Sequence, residues 1–209
     1  MLKRLLLILS AVAVAGSASA QDFFHRPSPI AGRTLLTISL FEEVRAELKT
    51  TTDENSKVDA LLEKLQGEIQ EAISGANGDF SSVQGTIEKI NAKYDDECLK
   101  ILTADQGTRL KQIFVQFNGA GSITNTIVAK DLAITDEQKP KIKKIQDDQR
   151  QKMMETFQQG GSPEEAQKAF KKLQDDLAAS LEKVLTDDQK AKLKDLAGAK
   201  FEFKKVEGI

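Results

Sequence analysis

One histidine and one cysteine in 209 residues leave little to catalyse with and nothing to cross-link internally. A general base needs a partner that orients it, and His25 lies in "QDFFHRPSPIAGR", where no neighbour does so. A structural zinc site takes about four Cys or His ligands, more than this chain holds. Cys98 falls among the apolar positions of a predicted helix. Such a residue is either a small buried hydrophobe or a thiol that pairs with another molecule. No glycine-rich phosphate loop stands between a strand and a helix, and no G-x-S-x-G elbow occurs. The carboxylate clusters Asp95 to Glu97, Asp147 with Asp148, and Asp175 with Asp176 read as solvated helix surface, because neighbouring helical residues point about 100° apart. None has the spacing of a calcium loop. The expectation is a non-enzymatic protein with no cofactor and no metal.

Positive charge is not in excess either. The 30 basic residues, less Lys3 and Arg4, leave 28 against 32 acidic ones, a net charge of −4 without the first segment. That excludes the basic footprint of nucleic-acid binding. Long apolar runs are confined to the start. Lys3 and Arg4, then "LLLILSAVAVAG", then "ASA" at Ala18 to Ala20 read as a secretory signal peptide over residues 1–20, cut after Ala20. No later stretch reaches the roughly 20 apolar residues of a membrane helix. The expected location is the periplasm or the cell exterior, with residues 21–33 as an extended lead-in.

What the chain does hold is one phrase written several times: "LTADQGTRL" from Leu102, "ITDEQKPKI" from Ile134 and "LTDDQKAKL" from Leu185. Each is a helix start. A threonine accepts a hydrogen bond from the N–H three residues on, and the Gln there reaches back to the threonine's own N–H. Thr103 with Gln106, Thr135 with Gln138, and Thr186 with Gln189 have this spacing. Lys139, Lys190 and Gly107 occupy the place of the usual staple, so the preceding Ile or Leu packs elsewhere, with Leu110, Ile142 and Leu193 as candidate partners. A slide of 84 positions lays Val44–Glu54 on Val128–Gln138 and reveals a fourth box, Thr51 with Glu54. Further along the register is 83, placing Lys100–Lys111 on Lys183–Lys194. The chain therefore reads as a tandem duplication, residues 34–121 and 122–209.

Each copy predicts a short helix, a box, a long helix, a glycine turn ("SGANGD" or "QQGGSPEE"), a returning helix, a second box and a last short helix. Gly160 or Gly161 would end one helix, and Ser162, Pro163 and Glu165 would start the next. The outgoing stripes are Val58, Leu61, Leu65, Ile69, Ile73 and Ile142, Ile145, Gln149, Met153, Phe157. The returning seams are Phe80, Val83, Ile87, Ile90, Tyr94 and Ala166, Phe170, Leu173, Leu177, Leu181. Steps of three and four suit antiparallel helix packing. The fold expected is all-α, two helical hairpins packed about a pseudo-two-fold axis into a monomer. "IFVQF" (113–117) and "FEFKKV" (201–206) are rich in β-formers. They are read either as a very small two-stranded sheet or as a helix end and a loose tail.

Paired boxes bracketing a helical hairpin behind a signal peptide resemble the LTxxQ-motif proteins, the Spy/CpxP family of bacterial envelope proteins. The matching residues are Leu102, Thr103, Gln106; Ile134, Thr135, Gln138; and Leu185, Thr186, Gln189. The first box departs, with Thr50 and Glu54 in place of Leu and Gln. The duplicated layout also resembles secreted helical proteins of planctomycete-like bacteria. The resemblance implies an ATP-independent chaperone or envelope-stress modulator that holds unfolded or envelope proteins by surface contact. In that family the binding species is a curved helical dimer. The hairpins here are shorter, and the histidines of zinc-responsive members are missing, so zinc sensing is not implied. Met154, off the main stripe, is a candidate contact residue. The alternative is a scaffolding protein with one fixed partner.

Overall fold

The computed structural model describes residues 34–76, 80–159 and 163–203. The expected signal peptide and lead-in, His25, Gly160, Gly161, Ser162 and the end of "FEFKKV" lie outside them. Among the described residues all regular structure is helical. The elements are α1 (Leu35–Ile38), α2 (Glu42–Leu48), α3 (Thr52–Gly75), α4 (Phe80–Ile101), α5 (Ala104–Asn118), a 3-10 segment (Gly119–Thr124), α6 (Thr126–Asp131), α7 (Gln138–Gln159), α8 (Pro163–Glu182) and α9 (Asp187–Leu196).

Three of the four corresponding pairs of helix starts recur at the spacing read from the sequence, while α3 and α7 begin at 52 and 138, which is 86 apart. α2 and α6 begin at 42 and 126, which is 84 apart, while α4 and α8 begin at 80 and 163, and α5 and α9 at 104 and 187, each 83 apart. The short helices α2 and α6 are both followed by a non-glycine residue in the left-handed region, Lys49 (φ 52°) and Ala133 (φ 53°). Side chains rarely adopt that conformation, and these two positions also lie 84 apart.

α3 pairs with α4 and α7 with α8 as two helical hairpins. Val58, Leu61 and Leu65 of α3, with Val83 and Tyr94 of α4, are buried as the stripes predict. Glu68 ties the first hairpin by accepting from Lys93 Nζ (2.6 Å) and Tyr94 OH (2.9 Å). The second hairpin is buried less deeply. Ile142, Leu173 and Leu181 are buried there, while Met153 and Phe170 are half-exposed. Gln149, in the place of Leu65, donates to the Leu173 carbonyl at 2.6 Å. One polar residue in an apolar stripe thus bonds to the facing helix.

A single apolar cluster joins both halves, running from Leu35, Leu36 and Ile38 through Tyr94, Cys98, Leu110 and Phe114 to Ile134, Ile142, Leu181 and Leu185. Leu102, Ile134 and Leu185, which precede the boxes, lie in it with Leu110 and Ile142, and Leu193 packs against it. Cys98 is fully buried, with its sulfur 3.7 Å from Ser39 Oγ, and burial pushes its thiol up to about 11. This matches the small-hydrophobe reading.

Of the two readings of "IFVQF" and "FEFKKV", the small sheet is not formed among the described residues. Ile113–Phe117 lies inside α5, where Ile113, Phe114 and Val115 are buried at 0–3% exposure. Burial of three neighbouring β-formers on a helix outweighs their strand propensity. The two segments nevertheless meet. Past α9, residues 198–203 run back over α5, and Gln116 bonds to them as a single rung. Its side-chain amide donates to the Ala197 and Ala199 carbonyls, and its Oε1 accepts from Phe201 N at 2.8 Å.

Candidate functional site

All four capping boxes form. The threonine hydroxyl accepts from the amide three residues on at 3.2 Å (Thr51, Thr186) or 3.3 Å (Thr103, Thr135). In return Glu54, Gln106, Gln138 and Gln189 accept from the threonine N–H at 2.7, 2.8, 3.0 and 3.0 Å. Two of the four N–H groups that each helix start leaves open are satisfied this way.

The structure also brings the boxes together in pairs. Gln106 spends its oxygen on its own cap and its nitrogen on the first box, donating to the Leu48 carbonyl (3.2 Å) and to Glu54 (3.4 Å). Gln189 repeats this 83 residues later, donating to the Leu132 and Ala133 carbonyls at 3.4 and 3.3 Å. Between Gln138 and Gln189 the amides bond reciprocally, at 2.6 and 2.9 Å, and Gln138 also reaches the Val184 carbonyl at 2.8 Å. Both glutamines are buried, at 7 and 9% exposure. Glutamine fits because the position needs an acceptor for the cap and a donor for the neighbour. Glu54 has no donor, so the first pair is joined from one side only. The Thr51 amide holds the Glu54 carboxyl below the usual carboxylate range.

One site residue departs from its sequence reading. Asp95, grouped with the solvated carboxylates, is 1% exposed. It accepts from Leu36 N (2.9 Å), in the first turn of α1, and from Asn125 Nδ2 (2.6 Å). Asn125 in turn caps α6, its Oδ1 accepting from Ile127 N (3.0 Å) and Val128 N (3.4 Å). Two helix N-termini thus converge on one carboxylate, one directly and one through an amide. Each end favours negative charge. Burial opposes it and dominates, pushing the Asp95 carboxyl up to about 6 against the pull of the Leu36, Asn125 and Leu35 donors. Asn125 directly before "TIVAKD" is a cap signal legible in the sequence. Nothing local distinguishes Asp95 from Asp96.

Beside the second pair of boxes lies an open groove of about 710 Å³. Ile123, Ala129, Ile134 and Ile142 line it, with Lys130 and Lys143 among the charged residues at its edge. Met154 is exposed at 56%. Among the described residues no three His, Cys, Asp or Glu side chains gather as a metal site, and no helix is long and apolar enough to cross a membrane. Comparison with protein-family models, curated proteins and solved structures gives no match.

Three outcomes follow for variants measured by urea unfolding. Thr135→Ala or Thr186→Ala should cost about 0.5–2 kcal/mol, the range for a lost N-cap, and leave any binding per folded molecule unchanged. Gln189→Ala leaves the Leu132 and Ala133 carbonyls without its amide and should cost about 1–3 kcal/mol. For Asp95 the folded state holds its proton to higher pH than the unfolded chain, so its contribution is fully present below the ordinary pKa of 3.8 and lost as pH rises through about 6. Taken from pH 7.5 to pH 5, the wild type should gain on the order of 1 kcal/mol relative to Asp95→Asn. Parallel pH profiles for the two proteins would refute this assignment.

Proposed function

We propose that this chain is a non-enzymatic protein of the bacterial envelope that binds partly unfolded proteins by reversible surface contact without ATP, in the manner of the LTxxQ-motif family. The observation that carries the reading is the pairing of the boxes. The Thr and Gln side chains act on helix ends and on each other, which gives the motif a structural purpose. Binding is then left to the surfaces that the framed helices present. The groove near the Gln138–Gln189 pair, lined by apolar residues together with Glu88, Lys130, Lys139 and Lys143, and the exposed Met154 are surfaces of that kind. Apolar side chains beside solvated charges suit weak contact with many sequences.

The two repeats, in this reading, stand about a pseudo-two-fold axis as a one-chain analogue of a dimer. The matched helix starts support this, as do the equivalent bonds of Gln106 to Leu48 and Gln189 to Leu132. Tethering holds the units at an effective concentration on the order of millimolar, so pairing needs no second molecule. Secretion follows from residues 1–20 read as a signal peptide.

At equimolar ratio and without ATP, the protein should suppress aggregation of several unrelated denatured proteins, followed by turbidity. Action on one protein alone would favour a scaffold with a fixed partner. Light scattering should give the mass of a single chain, and an obligate dimer would overturn the one-chain arrangement.

A further inference from the structure

Residues 197–203 lie on α5 as a bound peptide would. Gln116 donates to the Ala197 and Ala199 carbonyls and accepts from Phe201 N, while Arg109 donates to the Ala199 carbonyl at 2.6 Å. All four bonds go to main-chain atoms, so they hold the backbone of the non-helical stretch that leaves α9 and do not read a particular sequence. Arg109 is held for this task by Glu47, which accepts from its Nε at 2.7 Å. Side chains of the segment alternate. Lys200 and Glu202 are exposed and pair with each other at 2.6 Å, while Phe201 and Phe203 turn inward. Phe203 sets its ring edge-on against Phe41 (6.2 Å between centroids), Phe117 (4.9 Å) and Phe201 (4.8 Å). Phe117 is still 39% exposed, so the aromatic surface extends beyond what the segment covers. At Gly198 the backbone has φ +60°, and a Cβ there would collide with the Gln112 carboxamide. The path onto α5 therefore depends on glycine.

We propose that the α5 face bearing Arg109, Gln116 and Phe117, with Phe41 beside it, is a receptor for extended peptide segments carrying aromatic side chains at alternate positions, occupied in the resting chain by its own 197–203 stretch. The backbone bonds admit many sequences and the aromatic contacts select for Phe-x-Phe patterns, which are exposed in unfolded chains and buried in folded ones. This deepens the proposed function by naming a partner class and the surface that takes it.

The test uses the full chain with Phe201→Ser and Phe203→Ser, which loosens the resident segment, and a fluorescein-labelled, end-blocked peptide of sequence AGAKFEF read by fluorescence anisotropy. Saturable binding to the double variant, at least ten-fold weaker binding to the wild type, and loss of binding on adding Gln116→Ala are expected. A control peptide with serine for both phenylalanines should not bind. No binding to the double variant, equal binding to the wild type, or equal binding of the control peptide would overturn the proposal. If the double variant loses helical circular dichroism, Phe203→Ser alone is read by the same criteria. Peptide binding with no suppression of aggregation would sink the chaperone reading and leave this site standing. Suppression with no peptide binding would do the reverse.

Discussion

The fold is governed by what happens at helix starts. Among the described residues nine α-helices, several of them one or two turns long, bring many helix ends into or near one core, and every start leaves amide N–H groups without a helical partner. Left buried and unbonded, each would cost about as much as a lost hydrogen bond. Threonine boxes serve α3, α5, α7 and α9, Asn125 serves α6, and α1 has a box of its own, Thr34 with Thr37, to which Asp95 adds a bond from 59 residues away. Among the described residues no buried side-chain nitrogen or oxygen lacks a partner. The same groups that end the helices also fix their mutual positions. The Gln106 and Gln189 nitrogens bond to carbonyls at the ends of helices more than 50 residues distant.

Where the two halves diverge, the differences are physical and local. Glu54 against Gln138 removes a donor, so one pair of boxes is joined from one side and the other reciprocally. Asp95 falls on Ala178 and Cys98 on Leu181, so the carboxylate that gathers two helix ends exists once. Phe41 falls on Asn125. In the second half that position caps α6, while in the first Phe41 makes no side-chain cap and its ring joins the aromatic group over α5.

Periodicity and capping grammar made much of this legible. The Thr-x-x-Gln spacing, with Glu54 in place of Gln in the first box, marks where four helices begin, because the box works through neighbours three residues apart. Of the stripes of α3 and α4, Val58, Leu61, Leu65, Val83 and Tyr94 are buried, while Ile69, Ile73, Ile87 and Ile90, most of them nearer the hairpin's turn, are half-buried. Two local readings lost to tertiary context. "IFVQF" has strand propensity, but a helix lets Ile113, Phe114 and Val115 all reach the core. The pairing expected there became one side-chain rung from Gln116. Asp95 sits among acidic neighbours in a pattern that usually means solvent, and only the approach of α1 and Asn125 makes its burial tolerable.

Sequence alone determined the helical class and the capped helix starts, since both rest on contacts within a few residues of the chain. Tertiary structure decided the rest: which boxes face each other, that a glutamine amide serves two helices at once, that one carboxylate collects two N-termini, and that residues 197–203 settle on α5. These depend on groups 30 to 90 positions apart meeting at hydrogen-bond distance. No local pattern encodes such meetings, because they are fixed only when the whole core closes.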